Sequence, residues 1–263
     1  MNSPAPWYLL PNVLTGCVAV IATVAFGWHR ALRLTELKPA DRRRALWSGL
    51  ALLLAWFVAA LMLSGMGFYR GTATRIPTIP FGLLIPIAAG VVLFRKWPPL
   101  RRAVEAVPQS WIAGVQVFRV EGLIFLMLYA GGWLPGAFAW PAGVGDILVG
   151  LLAPVVGMAY MRRVRGSAGM LRAWNRLGIT DLVIAVTTGF LTSPSPVQLL
   201  ALDRPNELIT AFPLVMIPVF LVPLAVLLHL ASWQKLRRTE NTPRVASPLQ
   251  AGRGSLVGSD GSC

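Results

Sequence analysis

Apolar residues gather into seven stretches, at residues 8–28, 45–66, 77–95, 110–130, 138–161, 176–193 and 209–231. Each reaches the roughly 18 residues that a helix needs to cross the hydrocarbon core of a bilayer. Polar residues fall mainly in the short connections between them. The pattern predicts an all-α, polytopic membrane protein: a bundle of seven transmembrane helices over residues 1–235, with a disordered tail over residues 236–263. That tail is rich in Ser, Gly and Pro and has no apolar periodicity. A short interfacial helix is expected around Val197–Leu202, in the loop before the last span.

The loops set an orientation. Connections 29–44, 95–107, 162–176 and the tail together hold 20 basic residues, against three (Arg70, Arg75, Arg204) in the alternate loops. Cytoplasmic loops carry the excess of Lys and Arg. The N-terminus is therefore expected outside and the C-terminus in the cytoplasm. Tryptophans agree: Trp7, Trp133 and Trp140 fall at expected outer ends. Trp28, Trp47, Trp97, Trp111, Trp174 and Trp233 fall at expected inner ends, where amphipathic rings favour the headgroup level. Residues 1–7 lack a basic stretch, so the first span is expected to be retained rather than cleaved.

Composition sharpens this picture. Only 13% of residues are charged and 56% are hydrophobic. A soluble domain carries about 25% charge, so a soluble enzyme is excluded. The net charge of +14 needs no nucleic acid, because the basic loops account for it as contacts with the bilayer and its anionic lipid. Arg outnumbers Lys 21 to three, and Ala, Gly and Pro are abundant, which accords with a GC-rich bacterial coding sequence and a cytoplasmic (inner) membrane. Cys17 and Cys263 offer neither a disulfide nor a metal site. No cofactor or metal is implied. No span contains Lys, which excludes a retinal Schiff base. No H-E-x-x-H, C-x-x-C, G-x-S-x-G or Walker motif is present. His29 and His229 fall at expected inner ends and read as boundary residues rather than haem ligands.

Chemistry concentrates in spans four to six. Arg119 and Glu121 lie near the middle of the fourth, where a charge costs at least about 2.5–3.5 kcal/mol and normally faces the bundle interior. Two positions apart, they point to different sides of a helix, whereas Gln116 and Arg119 share a face. Arg119 needs a partner from another helix. Asp146 is favoured because the connection Gly131–Gly136 makes its helix an antiparallel neighbour. Asp181 is a close second. One fixed cation against three carboxylates leaves two that must be protonated, solvated or paired with a bound cation. The strings Gly143-Val144-Gly145-Asp146 and Gly178-Ile179-Thr180-Asp181 echo one another on consecutive spans, the pattern of an inverted repeat. Prolines 77, 80 and 86 in the third span and 213, 218 and 223 in the seventh free backbone carbonyls and allow hinges.

Three functions stay open. A transporter or permease-like protein for a small solute, proton-coupled, would use Arg119 as fixed cation or anion anchor. Glu121, Asp146 and Asp181 would then be proton or cation sites, with Gln116 beside them. A membrane-embedded enzyme on a lipid or isoprenoid substrate would need a cavity open sideways to lipid. A receptor or assembly subunit would show a dry, fully paired polar cluster, with the two aspartates capping helix N-termini.

Overall fold

The structure, a computed structural model, describes residues 5–241. Their regular structure is helical, with no strand among them beyond an isolated bridge between Thr72 and Arg75. The helices are α1 (Leu9–Arg33), α2 (Pro39–Gly65), α3 (Ile79–Lys96), α4 (Pro98–Ala106), α5 (Gln109–Gly114), α6 (Leu123–Ala130), α7 (Gly136–Met161), α8 (Ser167–Thr192) and α9 (Val222–Asn241). A 3₁₀ segment, Val115–Gly122, joins α5 to α6, and a π segment, Ile217–Leu221, leads into α9.

Among the described residues, six helical runs are long and apolar enough to span a membrane: α1, α2, α3, the run Gln109–Ala130, α7, and Ile217–Thr239. Such a set marks a multi-pass membrane protein. The helix at the sixth expected span, α8, has 26 residues, a length of about 39 Å. It falls short on apolarity because it carries Arg172, Asn175, Arg176 and Asp181.

The core forms where α7 lies along α8 and along the α5–α6 run, with α9 closing the group against α3, α5 and α8. Leu128, Phe138, Leu214 and Phe220 are among its fully or almost fully buried apolar side chains. The α1–α2 hairpin stands at the periphery. A second cluster ties Ala31 and Leu32 of α1 to Ala103 and Val107 around α4, an amphipathic helix in a stretch expected to be loop.

Three expectations are corrected. Residues 197–202 form no helix. The Gln198 amide donates to the carbonyls of Leu200 and Ala201, and Ala201 takes a positive φ of 53°, so the chain turns instead. Residues 236–241, expected within the disordered tail, continue α9, where Leu236 is 2% exposed against Trp174 and Leu171. The rest of that tail, 242–263, lies outside the described residues. Trp174, expected in the interfacial belt, is buried, and its indole N–H donates to the Val149 carbonyl at 3.0 Å.

Candidate functional site

The 3₁₀ segment decides which residues face the core. At three residues per turn, side chains three apart eclipse one another. Gln116, Arg119 and Gly122 therefore form a single row, and all three are buried. Glu121 falls off that row and is only half-buried. It packs against Gly16 of α1, whose missing side chain makes room for the carboxylate.

Arg119 is 3% exposed and holds both candidate partners at once. Its Nε donates to Asp146 Oδ1 at 2.7 Å, and an Nη2 hydrogen goes to Asp181 Oδ2. Nη1 donates to the Gly178 carbonyl at 3.3 Å and to His229 Nε2 at 3.2 Å. Four of its five N–H donors thus have protein acceptors. The guanidinium is thus engaged with two carboxylates, a carbonyl and an imidazole. Close approach depends on glycines. A side chain at Gly178 would run into the His229 ring, and one at Gly145 into the Asp181 carboxylate. Neither aspartate lies in the first turn of its helix, so neither is an N-cap.

His229 is the residue that sequence reading placed wrongly. It is wholly buried rather than interfacial, because α9 runs on to Asn241 and carries position 229 into the core. Its tautomer follows from its neighbours. A guanidinium only donates, so Nε2 accepts, and Nδ1–H donates to Asn175 Oδ1 at 3.0 Å. The Asn175 amide then donates to Ser232 Oγ at 2.9 Å and to the Leu171 carbonyl. Gln109 Nε2 also reaches Ser232 Oγ, at 2.7 Å. A continuous polar chain therefore runs from the aspartates through Arg119 and His229 to the start of α5. The ring of Trp174 packs on His229 with centroids 4.7 Å apart. Gln116 is separate from this chain and donates to the Ala225 carbonyl at 3.2 Å, tying the row to α9. Spacing carried a usable signal: Asn175, Gly178 and Asp181 recur every three residues, as do His229 and Ser232.

Two voids adjoin the cluster. One of about 20 Å³ lies among Arg119, Glu121, Asp146, Phe118, Leu221 and Ala225, enough for about one water. The other, about 340 Å³, lies between α3, α6, α7, α8 and the π segment. Its walls are apolar, with Phe125, Phe138 and Phe190 prominent, and Asp146 is the charged residue on them. Pro218 of the π segment and Leu84 of α3 also line it. Among the described residues, no three His, Cys, Asp or Glu side chains group so as to hold a metal ion.

The family described as Domain of unknown function (DUF8737) matches residues 76–237, from the approach to α3 almost to the end of α9. That is more than half of the chain, and the chain belongs to that family. No curated protein and no solved structure matches it.

Proposed function

We propose that this member of the DUF8737 family is a carrier of a small solute, with proton exchange at the Asp146–Asp181 pair. In this reading α8 is a seventh crossing. It turns Asn175, Gly178 and Asp181 inward and Val183 and Ile184 outward. The basic loops lie in the cytoplasm against anionic lipid, the N-terminus lies outside, and the membrane is a bacterial inner membrane. The large cavity then occupies the outer half of the bundle, and the ion cluster forms its floor.

One observation carries the reading: a charge surplus at a cavity wall. Arg119 offers one positive charge to two aspartates, and Asp146 also borders the 340 Å³ space. The pair retains one negative charge that a proton or a monovalent cation would satisfy. Glu121, across the water-sized void, is a second place to hold a proton. The π break at Pro218 lacks a backbone donor and lines the cavity, so it is the natural hinge for opening and closing. A membrane-embedded enzyme on lipid is the second reading. It is favoured by Leu84, which lines the cavity and is 59% exposed on the outer surface of the bundle.

The test uses proteoliposomes holding a pH dye, challenged with a panel of small organic cations, alcohols and carboxylates. A carrier changes lumen pH with at least one class, and Asp181→Asn abolishes the change. If no class moves protons while the liposome lipids change in mass, the enzyme reading replaces it.

A further inference from the structure

From the walls of the 340 Å³ cavity we infer its ligand class: a monovalent organic ammonium with an apolar body. The inference rests on the carrier reading and names its substrate. It starts from the division of charge around Asp146. The guanidinium of Arg119 borders the small void and is absent from the walls of the large one. Of the charged residues in the cluster, Asp146 alone lines the large cavity.

Asp146 is 8% exposed, and its two oxygens have different fates. Oδ1 accepts from Arg119, while Oδ2 accepts no hydrogen bond from any described residue. An ionised carboxylate is acceptor-only, so it recognises a donor or a cation and repels an anion. Burial strengthens this choice: two aspartates share one guanidinium, and a bound cation would relieve the remaining charge.

The remaining walls describe the rest of the ligand. Phe125, Phe138 and Phe190 present aromatic rings, which attract an ammonium group as well as apolar carbon. Thr187 and Ser193 are the other polar side chains on the walls, too few to recognise a sugar or a zwitterion. At ordinary packing density, about 340 Å³ holds a body of about a dozen non-hydrogen atoms.

Three probes of one size and shape test this: phenyltrimethylammonium, neutral tert-butylbenzene and anionic benzenesulfonate. The full chain is purified in detergent, and the probe concentration giving half-maximal thermal stabilisation is measured. The cation should act at a concentration at least tenfold lower than the neutral isostere, and the anion should not act at all. Asp146→Asn should erase the tenfold advantage of the cation over the neutral isostere. Ala185→Phe, which fills the cavity, should abolish stabilisation by both. Should Asp146→Asn fail to fold, the wild-type comparison of isosteres and the Ala185→Phe variant still decide. Equal or stronger binding of the neutral or anionic probe, lost in Ala185→Phe, overturns the ligand class and leaves the carrier reading standing. If no probe stabilises the wild type, the ligand class falls, and the lumen-pH assay with the wider solute panel decides the carrier reading.

Discussion

Helices α2 and α9 are both apolar, yet they are held in opposite ways. In the most apolar stretch of α2, 6% of residues are buried, whereas 56% are buried in the crossing that contains α9. Leu52, Leu54, Val58 and Met62 of α2 face outward, and the hydroxyl of its buried Ser64 donates to the sulfur of Met216. Two polar side chains of α9, His229 and Ser232, are buried and joined to three other segments. Lipid tails are as apolar as leucine, so apolar surface alone gives one membrane helix no reason to prefer another. Position is set by close packing and polar links. The matched family segment, 76–237, contains the polar core and leaves α1 and α2 outside.

The sharpest way to break that contrast is Arg119→Leu. It strands two buried carboxylates and should cost about 3–5 kcal/mol, read as a collapse in thermal midpoint or a failure to accumulate. Gly178→Ala should come next, at about 1–3 kcal/mol, because the added methyl meets the His229 ring and the Arg119 guanidinium. His229→Phe keeps the ring but removes an acceptor from Arg119 and a donor to Asn175. A loss of about 1–2 kcal/mol is expected, partly recovered in Asn175→Leu/His229→Phe because both partners then become apolar. Leu54→Ala on α2, where the side chain is 48% exposed, should shift the midpoint by less than about 0.5 kcal/mol. A large loss there would mean that α2 is fixed by a protein neighbour rather than lipid.

Part of this was legible beforehand. The apolar runs announce a helical membrane protein, and the depth of Arg119 announces a buried partner. The antiparallel connection pointed to Asp146, and the alternative, Asp181, is engaged as well. What escaped depended on geometry that sequence does not print. Nothing in Val115–Gly122 signals a 3₁₀ winding, yet that winding sets Gln116, Arg119 and Gly122 in one row and turns Glu121 toward Gly16. His229 was misjudged because the length of α9 was underestimated, which moved its histidine from the core to an apparent boundary. The two glycines at matching positions in the echoed strings play different parts: Gly178, three residues before Asp181, supplies the carbonyl that Arg119 bonds. Gly143, at the same offset from Asp146, lets α7 approach Leu126 of α6.

The most direct test of the central claim is uptake of labelled phenyltrimethylammonium into proteoliposomes under an imposed pH gradient. Wild-type protein should accumulate it only when the lumen is acidic. Asp181→Asn should reduce uptake to that of protein-free liposomes while retaining a cooperative melt. Uptake that ignores the gradient, or that survives Asp181→Asn, would contradict an exchange of solute for proton at the paired aspartates.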